Sequence, residues 1–528
     1  MNAPFPPVVV GLSLAALVIL LAALGRRLPV PTPILQVAGG LLVGLVPGTP
    51  SVRVEPEVVF FVFLPPILWA AAYFTSFRDF RANLRPIGLL AIGLVLATTA
   101  AVAVTAHALL PGLPWPAAAA LGAIVSPPDA VAAETILKRL PIPRRLVVIL
   151  EGESLVNDAS ALVLYRTAVL AAVTGSFSLG ETVVRFFVDA AVGIVIGLAA
   201  GWLIIRAARL TRDTLAVVTL SLLGPYLAWV AAEALHVSAV LACVAGGLYV
   251  RQHFSLVVAP AARLQARAVW DLFVFGLNAL IFLLLGIQFG ELLEAVPLRT
   301  MGTVGKTGAL IAVIAILVRI VWVPLSAALP RWLSRELRAR DPMPPARAIA
   351  LISWTSMRGI VSLASALALP LLTNAGTPFP YRAEIILITM MVIVATLVIQ
   401  GLTLAPVIRW LKFPAETVHH EEEQHARREA TRRALERLDD ISVEAWVRPE
   451  DLAEVGEQLR RRFQTGAPAD GIGSTLESRR RLRLEALRAE RRALIGLRNE
   501  GAISDEVLHH LERELDVEAL HLGAGEEL

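Results

Sequence analysis

Apolar runs bounded by charge follow one another along most of the chain, at 8–24, 31–46, 58–73, 86–109, 115–136 and 146–173, then 183–207, 215–234, 238–250, 272–289, 307–329, 348–371 and 385–411. A helix of about 20 residues crosses a hydrocarbon core of about 30 Å, so the pattern predicts about thirteen transmembrane helices. Past residue 412 the runs stop. Charged positions there fall three and four apart (Glu421, Glu422, Glu423, Arg427, Arg428, Arg432, Arg433) and predict helix. The Gly, Pro and Ser of 465–475 predict a linker, 476–499 a second charged helix, and Ser504 an N-cap for a last short one. The expected division is a transmembrane domain at 1–412 and a charged, helical, regulatory cytoplasmic tail at 413–528.

Loop charge checks the span count independently. Basic residues gather after the odd-numbered spans: Arg26 and Arg27; Arg78, Arg81 and Arg85; Lys138, Arg139, Arg144 and Arg145; Arg206, Arg209 and Arg212; Arg251, Arg263 and Arg267; Arg331, Arg335, Arg338, Arg340 and Arg347. A missed or invented span would scramble that alternation. The positive-inside rule then places the N-terminus outside and the C-terminus in the cytoplasm of a multi-pass cell-membrane protein. Apolar residues make up 56% of the chain, which excludes a soluble fold, and the net charge of +4 is topological and calls for no nucleic-acid partner. One cysteine, Cys243, excludes an internal disulfide. No Lys or Arg precedes the first span, which argues against a cleaved signal peptide.

Thirteen divides as six, one and six, and helices seven apart in order run in opposite directions, the arithmetic of an inverted repeat. Val37-Ala38-Gly39-Gly40-Leu41 of span two returns as Val244-Ala245-Gly246-Gly247-Leu248 of span nine, a match that small residues at helix contacts also explain. Span five is interrupted by Ser126-Pro127-Pro128-Asp129, where two missing amide donors and two ring clashes end a helix. Span twelve, seven later, is interrupted by Ser356-Met357-Arg358-Gly359. Paired broken helices point to a transporter's binding site, because unwound backbone and half-helix ends meet an ion at mid-membrane. The fold class expected is all-α: two inverted six-helix repeats whose broken helices cross at mid-membrane, plus the tail.

Span six carries the chemistry. Glu151-Gly152-Glu153-Ser154-Leu155-Val156-Asn157-Asp158-Ala159-Ser160 sets three carboxylates inside an apolar segment, at a cost of at least about 2.5 kcal/mol for an ionised group at the bilayer centre. On a helix, Glu151, Ser154 and Asp158 share one face, and Glu153, Asn157 and Ser160 the neighbouring one. A hard monovalent cation takes several oxygen ligands, one or two of them charged. Asp158, Asp129 and Ser154, with carbonyls freed at Pro127 and Pro128, supply that set, and a carboxylate that binds either the cation or a proton is the minimum of an exchanger. Arg358 cannot be neutralised and must be paired, and Glu153 is the expected partner, tying span six to span twelve, with direct repulsion or displacement of the cation by Arg358 as the alternative. Arg166 is expected to snorkel toward the far interface. His419-His420 and His509-His510 give poor metal sites, since adjacent histidines face different ways on a helix.

Ser126-Pro127-Pro128-Asp129-Ala130, Glu151 through Asp158, and Trp354 with Arg358-Gly359-Ile360-Val361-Ser362-Leu363-Ala364 closely resemble the signatures of the sodium/proton exchanger family, bacterial cation:proton antiporters of the electroneutral type, across residues 8–412. The resemblance implies Na⁺, or Li⁺ or K⁺, exchanged for H⁺ without a cofactor. It makes Asp158 the exchanging carboxylate, Asp129 and Ser154 ligands, Asn157 an orienting residue, Glu153 and Arg358 a structural ion pair, and the assembly a homodimer whose core domain moves against a dimerisation domain. Asn157 before Asp158, where electrogenic relatives carry a second aspartate, implies one-for-one exchange. Ala70 after Leu64-Pro65-Pro66-Ile67-Leu68-Trp69 departs from the acidic residue usual there, and Ser356 and Met357 replace a usual glycine and leucine. A tail-gated cation channel is the alternative; an intramembrane enzyme is disfavoured, since no span carries a membrane-centred histidine beside a nucleophile.

Overall fold

The computed structural model describes residues 7–413 apart from 29, 47–55, 130–132, 134, 135, 138, 139, 141, 176–178, 212, 259, 296 and 297, with scattered positions from 432 to 460 and Val517 beyond. The linker at 465–475, the helices expected at 476–499 and after Ser504, and both histidine pairs lie outside the described residues. The chain divides into two compact units, Met1–Ala415 and Glu416–Leu528. In the second, Arg432 pairs with Glu436 one turn on.

The first unit is helical. Among its described residues the sole β-pairing is an isolated bridge between Leu372 and Pro378. The helices are α1 (Pro7–Arg27), α2 (Thr32–Gly44), α3 (Val59–Phe74), α4 (Phe77–Ala82), α5 (Leu84–Leu109), α6 (Trp115–Val125), α7 (Arg144–Thr174), α8 (Leu179–Leu210), α9 (Thr214–Ala234), α10 (Ala239–Val257), α11 (Pro260–Ala295), α12 (Leu298–Leu333), α13 (Arg335–Arg340), α14 (Ala346–Trp354), α15 (Ile360–Leu367) and α16 (Arg382–Leu411). Every apolar run singled out in the sequence carries a helix. Six stretches are long and apolar enough to cross a membrane outright: Leu84–Leu109, Val183–Leu210, Thr214–Ala234, Ala262–Leu293, Gly302–Leu333 and Arg382–Leu411. The 31-residue α7 has the length and not the composition, because of its carboxylates, and it stops where Gly175 takes a left-handed φ of 74°.

Apolar side chains gather in two main clusters. One joins α5, α6, α7, α12, α14 and α16, the other α3, α8, α9, α10 and α11. Both copies of the Val-Ala-Gly-Gly-Leu sequence lie at close helix contacts. A Cβ on Gly40 would stand 2.0 Å from the Leu283 carbonyl oxygen, and one on Gly286 2.1 Å from that of Val37, so α2 and α11 touch backbone to backbone. Gly246 and Gly247 of α10 lie against Trp69 of α3.

Asp341, between α13 and α14, ties three helices on one side of this unit. It accepts from Arg331 of α12 at 2.8 Å, from Arg145 of α7 at 3.2 Å and from Arg85 of α5. Burial raises the Asp341 carboxyl, but the hydrogen bond and charge of Arg145, the charge of Arg331 and the hydrogen bond of Arg85 together outweigh it, so it titrates below the ordinary carboxylate value. A depressed folded value means that the stabilisation is complete above the unfolded value near 3.8 and is lost as pH falls through the folded one. Asp341→Asn should therefore destabilise the protein by about 2 kcal/mol at pH 7. The gap between wild-type and variant melting temperatures should close as pH falls through and below that range.

Candidate functional site

The two chain breaks face each other. Pro127 and Pro128 lack the N–H groups that would have met the carbonyls of Ala123 and Ile124, so α6 ends at Val125. Ser126 repairs part of the loss by donating its hydroxyl to the Ala123 carbonyl at 3.0 Å. The Asp129 N–H, which a continued helix would have aimed at Val125, crosses instead to the Met357 carbonyl at 2.6 Å. On the other side, α14 ends at Trp354, the chain runs unwound to Gly359, and α15 begins at Ile360. A Cβ on Gly359 would fall 1.6 Å from Asp129 Oδ2, so only glycine lets that carboxylate lie against the start of α15, whose unpaired N–H groups favour negative charge.

Helix α7 brings in the remaining groups. Glu151, Ser154 and Asp158 line a cavity of about 1540 Å³ together with Pro127, Pro128, Asp129, Trp69 and Ala70. Asp158 is 7% exposed, so both aspartates face this cavity in the interior of the helix array and not its apolar outer surface. The neighbouring face of α7 turns into protein. Asn157 is fully buried and donates its Nδ2 to the Pro128 carbonyl at 2.9 Å, fixing the first break against α7.

The expected Glu153–Arg358 ion pair is corrected. Both carboxylate oxygens of Glu153 are held by Arg319 of α12, one of them at 2.8 Å, and each of the two side chains is 1% exposed. Arg319 also donates its Nε to the Ile352 carbonyl at 2.8 Å. Arg358 bonds to carbonyls and hydroxyls: its Nε donates to the Val125 carbonyl at 3.0 Å, its Nη1 to the Ser356 carbonyl and hydroxyl, and its backbone N–H to the Thr396 hydroxyl at 3.2 Å. The physical reason is the negative end of a helix dipole. The guanidinium sits where α6 ends just beyond α14, and carbonyls left open by the breaks satisfy it in place of a carboxylate. Arg319 is the residue that sequence reasoning missed. Its signal was a lone arginine in the middle of an apolar span, which by itself demands a buried partner. Arg166, expected to snorkel, donates to Glu233 of α9 at 2.8 Å and stands apart from the cavity.

A multi-pass helical membrane protein in which two broken helices are bonded together beside buried carboxylates is built as an ion transporter. The family is established by sequence: the model of the transmembrane sodium/hydrogen exchanger matches residues 13–410, and the chain belongs to that family. It is 37% identical to an uncharacterized Na⁺/H⁺ exchanger of Mycobacterium tuberculosis, over 97% of this chain and 96% of the relative. It is 32% identical to the sodium, potassium, lithium and rubidium/H⁺ antiporter of Bacillus subtilis, over 93% and 74%. Its fold is similar to that of the sodium proton antiporter of Methanocaldococcus jannaschii, with a TM-score of 0.59 at 18% identity, covering 76% of this chain and 97% of that one.

Proposed function

We propose that the protein exchanges a monovalent cation, Na⁺ first and K⁺ or Li⁺ as alternatives, for H⁺, one for one, at a single site formed by Asp158, Asp129 and Ser154. The observation that carries this reading is that the two aspartates, from α7 and from the first break, share one cavity at the meeting point of both breaks. A cation and a proton then compete for the same oxygens, and each turnover carries one or the other. The Bacillus subtilis relative is named for sodium, potassium, lithium and rubidium, which supports a site open to several cations.

Several features support alternating access within an inverted repeat. Helix pairings exchange when spans seven apart are interchanged: α2 packs on α11 as α10 packs on α3, α1 on α2 as α9 on α10, and α5 on α6 as α12 on α14. The cavity is also lined by Arg251 near the end of α10 and by Arg263 and Arg267 at the start of α11, on the side that the positive-inside rule assigns to the cytoplasm, as an inward-facing state requires. About two turns beyond Asp158, Arg166 and Glu233 join α7 to α9 and help close the opposite side. A homodimer, an external N-terminus, a plasma-membrane location and a regulatory tail complete the proposal.

The test is transport. In proteoliposomes with an imposed pH gradient, added Na⁺, K⁺ or Li⁺ should collapse the gradient without current under an applied voltage. A wild-type protein that leaves the gradient intact with all three cations ends this reading, and a cation current replaces it with the tail-gated channel.

A further inference from the structure

Asn278 lies on α11, within a stretch whose neighbours Leu277, Ala279, Ile281, Phe282 and Leu283 are buried and apolar. It lines the cavity that holds Asp129, Ser154 and Asp158, yet its Oδ1 is shut off from solvent with no hydrogen-bond partner. A polar atom buried without a partner costs about 1–3 kcal/mol, so an amide at this position in an apolar helix needs something to meet it. The terminal torsion of asparagine is soft, so the amide can turn its oxygen to a ligand held in the cavity that it lines.

We propose that Asn278 supplies a neutral oxygen to the transported cation, from the α11 wall of the cavity that also holds the acidic cluster. This deepens the exchange reading and rests on it. The choice of residue fits the chemistry. An amide oxygen is a hard ligand for Na⁺, K⁺ or Li⁺ and does not ionise. It therefore strengthens cation binding without adding a second group at which protons compete, leaving that competition to the aspartates. Its place on the wall is also fixed, because α11 is held against α2 by the Gly40–Leu283 and Gly286–Val37 contacts just beyond it.

The experiment compares wild type, Asn278→Ala and Asn278→Ser in full-length purified protein. Apparent KM for Na⁺ and maximal rate are measured in proteoliposomes, and stabilisation against heating is measured by titrating Na⁺ in detergent. Asn278→Ala should raise KM roughly tenfold and shift the midpoint of Na⁺ stabilisation by the same factor, with the maximal rate much less affected. Its melting temperature without cation should be unchanged or higher, since an unpartnered polar group has been removed. Asn278→Ser, which keeps an oxygen on a shorter side chain, should recover part of the affinity and alter the ratio of Na⁺ to K⁺ affinities. An unchanged KM in Asn278→Ala overturns the proposal, as does a lower melting temperature with KM unmoved, which marks a structural amide. If the wild type is stabilised by Na⁺ but exchanges nothing, the exchange reading fails alone and the stabilisation midpoints still decide on Asn278. A wild type stabilised by none of Na⁺, K⁺ and Li⁺ overturns both.

Discussion

Asp158→Asn is expected to abolish cation-driven dissipation of a pH gradient while leaving the fold intact. The substitution keeps the shape of the side chain and removes both its charge and its ionisable proton, so neither of the two competing ligands retains its main partner. Losing one charge-assisted contact of about 3 kcal/mol lowers cation occupancy roughly a hundredfold at sub-saturating concentration, and loss of the proton site removes the return half of the cycle as well. Raising Na⁺ should rescue nothing, in contrast to Asn278→Ala, where saturating Na⁺ restores the rate. Asp158 makes no ion pair among the described residues, so thermal melting of Asp158→Asn in the absence of cation should match or exceed that of wild type. Retained exchange in this variant would remove Asp158 from the site.

The second large effect is on stability. Glu153 and Arg319 are both 1% exposed and bonded through both carboxylate oxygens, so removing either leaves a charge stranded in the protein interior. Arg319→Met and Glu153→Gln should each destabilise by about 3–5 kcal/mol, seen as a lower melting temperature and less folded protein in the membrane. Arg319→Met should be the more severe, since it also removes the bond to the Ile352 carbonyl at the end of α14. The double variant Glu153→Gln with Arg319→Met strands no charge and should recover much of the loss. Additive single effects in a double-mutant cycle would show that the two residues do not act as a pair.

The same pair marks where sequence reasoning stopped. That Glu153 needed a cation, and that Arg358 needed a counter-group, followed from the cost of burying charge. Joining them to each other was the error. Arg319 stands 166 positions from Glu153, and Arg358 is met by the Val125 carbonyl and by the carbonyl and hydroxyl of Ser356 rather than by a carboxylate. Asn157 shows a milder gap. The resemblance to the family's signature implied an orienting role, and the structure adds what it holds, the Pro128 carbonyl of the first break. Asp341, hub of three arginines, carried no signal at all, because an acidic residue in a loop is ordinary until its neighbours are known.

Sequence alone determined the features that are local along the chain. Hydropathy placed the helices, because burial in lipid or protein is decided within each span, and Pro127-Pro128 broke one of them, because a missing N–H acts within a single turn. Tertiary structure decided which groups meet: Asp129 with Met357 and Gly359, Arg358 with Val125, Glu153 with Arg319, and Gly40 with the backbone of α11. The reason is physical. Buried charge and open carbonyls fix that a partner must exist, whereas helix packing alone fixes which of several chemically adequate partners comes within about 3 Å.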